Sequence, residues 1–502
     1  MPLIFQYGSP MPLPLNHSDL DDLEPILDRL TRTAHATGEQ YMMAQGLTLE
    51  ALKDNPKARK EFIRRCHYGF DLAQRQSAKL VAEYELRVRE LTRQLKEVRR
   101  AGGSRAPELK CLIEVLENRQ LVLRRLVDSI LCVILMPDTW VLRRLSIGLD
   151  IKRIDPEVLL HTVEVAVDRN REDRMRFSIV SDLTTVIGMG DLFEVDRAHG
   201  RRYTLLELKE GKVNELITDI METQPGELTS GDVDQLFQEH DESVKKQAHR
   251  VFRQARRLDQ LTQILNTDSG ISPDHEMPME LFPDRIDLDD YSKAIRLVCD
   301  NAAEHRVGAA TVSCCLHLVA VNPAAIPGPI TMGMASHVFY HLANPGTKCV
   351  INDKENAQQE LRAMAAQAPV VDLITLNLTN NQAIPLQLWT KLSRGQDLIF
   401  GRLRLFAQWD IEAFFRLAQT EGLTLSWITG KESDHLRKVS VVIPGSPNSR
   451  GVRVEYADGA PQTLLSGFFA RPVLHLTPPR ELIMMIKKYP EQRQKINARH
   501  KE

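Results

Sequence analysis

MRFSIVSDLTTVIGMGDLFEVDRAHGRRYTLLELKEGKVN, residues 175–214, contains two runs of strand-like composition, Asp191 to Asp196 and Tyr203 to Lys209. A six-residue loop containing Gly200, mostly of polar residues, separates them, which predicts an antiparallel hairpin. With Asp196 facing Tyr203 at the mouth of the loop, Asp191 lies across from Leu208, beside Glu207 and Lys209. The two-residue period of a strand sends Tyr203, Leu205, Glu207 and Lys209 to one face and Thr204, Leu206 and Leu208 to the other. Just upstream, Phe177 to Ile187 reads as a first core strand with Asp182 inside it, and Gly188-Met189-Gly190 as a turn. Two acids and a lysine therefore converge at one end of a short hairpin.

Two carboxylates a few ångströms apart repel each other unless a hard cation lies between them. Oxygen ligands of this kind suit Mg2+ or Mn2+, which also keep waters for a phosphate to displace. A lysine one residue beyond the second acid can steer a metal-bound water or stabilise charge developing on phosphorus. An acid-x-Lys triplet is uninformative alone, since Glu108-Leu109-Lys110, Asp150-Ile151-Lys152 and Glu210-Gly211-Lys212 share it. Glu207-Leu208-Lys209 differs in having Gly190-Asp191 upstream at a matching register, apolar strand residues before it and a helix-like segment after it.

In these features the stretch resembles the PD-(D/E)xK nuclease superfamily, with Gly190 where that family usually has proline. The resemblance implies Asp191, Glu207 and the Leu208 carbonyl as metal ligands and Lys209 as the catalytic lysine. It also implies a further acid from the helix before the first strand. Asp155 as N-cap and Pro156 at the first position predict that helix, and Glu164 is its candidate acid.

Downstream, Val213 to Glu222 predicts a helix, and Val244 to Leu265 a longer one with Val244, Ala248, Val251, Ala255 and Leu258 as its apolar stripe. On another face Lys246, Arg250, Arg253 and Arg257 recur at intervals of 4, 3 and 4, a line suited to a phosphate backbone. Gln247 beside them resembles the glutamine or lysine that many of these nucleases carry on a helix near the site.

Upstream, residues 18–136 read as almost entirely helical. Val81, Tyr84, Val88, Leu91, Leu95 and Val98 are spaced 3, 4, 3, 4, 3, the seam of a short coiled coil. Two glycines and Pro107 in AGGSRAPE (101–108) turn the chain, and Leu123, Leu126, Ile130 and Val133 continue the spacing. The expectation is an antiparallel helical hairpin over about 75–136, with a homodimeric coiled coil or a partner subunit on the same seam as the alternative.

Thr267 to Asp289 has the composition of a linker. Ala309 to Val321 is a buried-type strand, either the fourth of the nuclease sheet or the first of a new domain, and His317 in it reads as a core or edge histidine. Strand-like runs at 370–378, 398–408, 423–428, 438–443 and 452–456 alternate with helices near 354–366 and 410–421, before a basic amphipathic helix from Pro478. No phosphate loop or nucleophile elbow occurs in this portion.

Of the 502 residues, 43% are hydrophobic and 26% charged, with a formal charge of −2, so nucleic-acid binding must come from local patches. Seven cysteines without a CxxC pair suit a reducing cytoplasm. The opening MPLIFQYGSPMPLPLNH lacks a basic segment and is broken by prolines, unlike a signal peptide. The longest apolar run, Ile130 to Met136, is too short to cross a membrane.

The expected fold is α+β / α/β and multidomain. Residues 1–150 form a helical region, 151–325 a restriction-endonuclease-like α/β core with a mixed sheet, and 326–502 a C-terminal α/β domain. The expected function is that of a cytoplasmic, bacterial, Mg2+- or Mn2+-dependent nuclease acting on DNA in preference to RNA, in phage defence, restriction or repair. The alternatives are a non-catalytic helical scaffold and a DNA-binding subunit that does not cut.

Overall fold

The 3-4 spacing of Val81 to Val98 closes on the next helix of the same chain in the computed structural model of the protein. Helix α2 (Pro56–Arg100) and helix α3 (Ala106–Leu135) pack along each other as an antiparallel hairpin. Helix α2 begins where Asn55 Oδ1 accepts the Ala58 N–H at 3.0 Å with Pro56 at the first position. At the tip Leu91, Leu95 and Leu109 are buried, with Val98, Ala106, Ile113 and Leu116 packed on them. The seam is thus filled within one chain.

The structure describes residues 17–136, 138, 141–145, 154–197, 202–208, 217, 220, 230–267, 269–271, 278–280, 288–325, 370–379, 383, 385, 392–438, 443, 449–456 and 461–499. These form two compact units, Pro25–Pro283 and the pair Met1–Glu24 with Asp284–Glu502. The helical hairpin and the 175–214 stretch belong to the same unit.

The Pro25–Pro283 unit contains α1 (Glu24–Gln45), α2, α3, α4 (Val141–Leu145), α5 (Pro156–Glu172), β1 (Arg176–Val180), β2 (Leu192–Asp196) and β3 (Arg202–Leu206). It continues with α6 (Ser230–Leu236), α7 (Glu242–Thr267) and the short pair β4 (Ser269–Ile271) and β5 (Pro278–Glu280). The sheet order is β1-β2-β3, antiparallel throughout. Helix α5 is capped as expected, Asp155 Oδ1 accepting the Glu157 N–H at 3.0 Å.

One face of this sheet is polar at its centre. Glu194, only 4% exposed, accepts from Ser178 Oγ at 2.6 Å and from both Arg169 nitrogens at 2.5 and 3.1 Å. On the other face Phe177 packs edge-on against Phe70 of α2, and Phe193 stacks on Tyr203. Both outer strands have their backbone groups taken by side-chain amides. Asn170 bonds the N–H and C=O of Ser178, and Gln74 bonds the Ser178 C=O and the Val180 N–H. On β3, Asn266 bonds the N–H and C=O of Tyr203.

The first strand is shorter than Phe177 to Ile187. It stops at Val180, and Ser181–Leu183 form a 3-10 turn. The buried segment after it takes its hydrogen bonds from α3: Asp128 accepts the Thr185 N–H at 2.9 Å and Thr185 Oγ1 at 2.6 Å, while Arg124 donates to the Thr184 carbonyl. Asp128 is in turn paired with Arg125 at 2.8 Å, both side chains being 1% exposed or less. Buried irregular backbone needs such partners.

In the other unit α8 (Leu288–His305) packs on β6 (Val307–Val312) and β7 (Leu316–Val321). These strands join β8 (Val370–Asp372) and β9 (Arg404–Trp409) in the order β6-β7-β9-β8. The run 309–321 is therefore the start of a separate sheet, not a fourth nuclease strand. Every strand pairing among the described residues is antiparallel, so no mixed sheet is present there. His317 is 3% exposed, its ring nitrogen 2.9 Å from Thr311 Oγ1, a core residue as expected.

Of the run 370–378, only β8 is strand, and Leu373–Thr379 (α9) is helical. The run 398–408 resolves into the end of α10 (Leu392–Ile399) and β9. A second sheet, β10 (Thr424–Trp427), β11 (Gly451–Glu455) and β12 (Gln462–Leu465), follows α11 (Ile411–Thr420), and α12 (Pro479–Arg499) comes last. The expected helix at 354–366, all of 213–222 except Ile217 and Ile220, which are helical, and most of the run 438–443 lie outside the described residues. The fold class is α+β. Among the described residues no helix is long and apolar enough to cross a membrane.

Candidate functional site

The site is built around a glycine that could be nothing else. Gly190 has φ +75°, and a Cβ there would lie 2.9 Å from the Leu206 carbonyl oxygen and 3.4 Å from Leu258 Cδ2 of α7. Proline, locked near φ −65°, cannot adopt that backbone. The reversal at Gly190 turns Asp191 toward β3.

Asp191 is then fixed on three sides. Its N–H donates to the Leu206 carbonyl at 2.7 Å, its carbonyl accepts from the Ser181 N–H at 2.9 Å, and its Oδ2 accepts from the Leu208 N–H at 2.6 Å. The register differs by one residue from the expected one. Asp196 pairs with Arg202 and Leu192 with Leu206, so one step further Asp191 stands opposite Glu207 instead of Leu208. The cause is Arg202, which has the polarity of a loop residue but is the first residue of β3, exposed at the strand's end. An odd shift exchanges faces in a pleated sheet. Here it puts the two acids at the same end of the hairpin, with Asp191 Oδ2 on the N–H of the residue that follows Glu207.

Glu207 and Leu208 are half-buried at this end, and Lys209 lies outside the described residues. Glu164 does not join the pair. It is on the exposed face of α5, whose Leu159, Thr162, Val163, Ala166, Val167 and Asn170 face inward. Its place on the solvent face of an amphipathic helix accounts for it without a ligand role. Asp182 sits on the 3-10 turn near Arg124; burial lowers the Arg124 pKa and the charges of Asp128 and Asp182 oppose that. Among the described residues no group of three His, Cys, Asp or Glu side chains is placed to hold a metal ion. What this end offers is two carboxylates and the Leu208 carbonyl. Mg2+, which is commonly held by one or two carboxylates and keeps several waters, fits that oxygen-only set.

Helix α7 connects this end to the cations. Asn266 in its last turn bonds Tyr203 near the loop end of β3, and Leu258 meets Gly190 at the acid end, so the helix runs antiparallel to β3. Its apolar stripe is buried at Ala248, Val251 and Leu258, together with Phe252, Leu261, Ile264 and Leu265. Lys246, Arg250, Arg253 and Arg257 are all exposed. Arg257 immediately precedes Leu258, so the line starts beside the acid end and runs away from it. Gln247, 11 residues before Leu258, is about 16 Å up the axis at 1.5 Å per residue. Gln254, one turn before Leu258 and half-buried, is closer to that end than Gln247. The 4-residue spacing to Leu258 was the available signal, but nothing in the sequence said which turn of α7 touches Gly190.

Two buried charged groups escaped the sequence reading. Arg125 with Asp128 anchors the segment leading to Gly190, and Glu194 with Arg169 braces the sheet. Burial pushes the Glu194 carboxyl up, but hydrogen bonds from Arg169 and Ser178 outweigh it and hold the pKa below the ordinary glutamate value of 4.5. Comparison of the chain with protein-family models, with curated proteins and with solved structures gives no match.

Proposed function

We propose that the protein is a metal-dependent nuclease that breaks phosphodiester bonds at the Asp191–Glu207 end of the hairpin. The observation that carries this is the Asp191 side chain held 2.6 Å from the Leu208 N–H, opposite Glu207, because that contact gathers both acids at one strand end. Asp191, Glu207 and the Leu208 carbonyl would hold Mg2+ or Mn2+. Such an ion supplies a water of lowered pKa and neutralises charge developing on phosphorus. The Leu208 N–H orients Asp191, Gly190 lets the chain approach β3 closely, and the buried 181–187 segment keeps that approach rigid. Lys209, next in the chain, is assigned to orienting the attacking water. DNA in preference to RNA, a bacterial cytoplasmic setting and a part in phage defence, restriction or repair belong to the same proposal.

A second reading, a nucleic-acid-binding subunit that does not cut, is favoured by one observation: Asp191 already spends an oxygen on backbone, and no third acid joins it. The deciding experiment incubates the full chain with Mg2+ or Mn2+ and single- and double-stranded DNA and RNA, beside Glu207→Gln and Lys209→Ala. Cleavage by the wild type that both folded variants lose supports the nuclease. Binding without cleavage, identical in all three proteins, supports the second reading.

A further inference from the structure

The four cations of α7 share one narrow face. At about 100° per residue, Lys246, Arg250, Arg253 and Arg257 fall within about 60° of each other and span about 16 Å of axis. The same line continues past Arg257 to Leu261 and Ile264, the latter five full turns from Lys246. Both are 0% exposed, and Ile264 is packed so closely on Gly270 that a Cβ there would come within 2.7 Å of its Cγ1. The face that is solvated and basic over its first half is thus covered by protein over its second. The changeover lies at Arg257 and Leu258, where α7 touches Gly190 beside the acid end.

We infer that this face is a one-sided track for a nucleic-acid strand: backbone phosphates follow Lys246, Arg250, Arg253 and Arg257 toward the hairpin end and find no continuation beyond it. The substrate class is a strand with a flank on one side of the scissile bond and a free or diverging end on the other. The contacts are to phosphate alone, so binding is independent of sequence and falls steeply with salt. That the bond is broken at the acid end rests on the function proposed above; the track itself does not.

Both parts can be measured in EDTA, where no cleavage intervenes. Fluorescence anisotropy of the full chain with oligonucleotides in graded NaCl should give a log–log salt slope near −3.6 for duplex or −2.8 for single strands, four phosphates' worth. Lys246→Ala and Arg250→Ala should each flatten that slope by about one. A photo-crosslinking residue at position 257 should then map to the terminal nucleotides of an end-labelled strand, and one at 246 to internal ones. Unchanged slopes in the folded alanine variants, equal affinity for phosphatidylserine vesicles, or crosslinks from 257 flanked by bound nucleotides on both sides would overturn the proposal. A wild type that shows these slopes and crosslinks yet never cuts with Mg2+ would leave the track standing and remove the nuclease reading.

Discussion

Two sheets among the described residues, β6-β7-β9-β8 and β1-β2-β3, are both antiparallel and are held together by opposite means. In β6-β7-β9-β8 every residue of β7 is buried, and Leu318, Val319, Leu405 and Ala407 are 0% exposed, so the sheet is fixed by apolar packing. In β1-β2-β3 the central face carries Ser178 and Glu194, the edges carry Asn170, Gln74 and Asn266, and the entry segment hangs from Asp128 and Arg124. Apolar packing is non-directional and tolerates small shifts, whereas hydrogen bonds specify positions and penalise their loss. The sheet that carries Asp191 and Glu207 at its end is the one built on directional bonds.

The largest effect that would break this contrast is expected from Asp128→Ala. It removes the carboxylate paired with the buried Arg125 charge and the acceptor of the Thr185 N–H, and should cost about 3–5 kcal/mol. Hydrogen exchange should show the loss concentrated in 181–190, and Arg125→Met with Asp128→Leu together should be milder than Asp128→Ala alone. Leu318→Ala in the other sheet should cost about 3 kcal/mol through its cavity. There the loss of protection should spread over β6, β7 and β9 instead of one segment. A localised loss there, or a diffuse one for Asp128→Ala, would erase the distinction.

Acid should separate the two means of support further. His67, packed on Phe177, is pushed by burial and by the nearby Arg197 charge from 6.5 down to about 4. The folded state therefore binds fewer protons than the unfolded chain between those values. The stability this confers is full above pH 6.5 and lost as pH falls toward 4, up to about 3 kcal/mol. Denaturant midpoints at pH 7 and 4.5 should differ less in His67→Phe than in the wild type. Smallest is the edge comparison. Asn170→Leu, at a 3% exposed site, should cost about 1–3 kcal/mol, and Asn266→Leu, where water can replace the amide, less than about 1 kcal/mol.

Much of the helical architecture was legible because a repeat of 3 and 4 is a strong signal. The Val81–Val98 seam, the turn at Gly102 and the Asp155-Pro156 start of α5 are where the spacing puts them. The β-hairpin was legible as an element but not in register, since one charged residue, Arg202, decides whether the loop has five residues or six. The end of β1 was written in SDLTT, whose hydroxyls and acid favour local turns over strand. What sets that turn is Asp128 on α3, more than fifty residues away in sequence, and no local pattern reveals such a partner. For the same reason the sequence did not show that Glu164 lies on the exposed face of α5, or that Gln247 lies several turns before the residue of α7 that meets Gly190.

The amides on Ser178, Val180 and Tyr203 also bear on how the protein behaves in a crowded cell. An open strand edge is a template, and a second chain can lay its own strand along it to seed aggregation or domain swapping. Here each outer strand already ends in a neighbour one residue long, an asparagine that occupies both the donor and the acceptor of the residue beside it. A strand added at Ser178 or Tyr203 would first have to evict those side chains. The sheet that holds the acid pair is thereby made a poor seed for self-association.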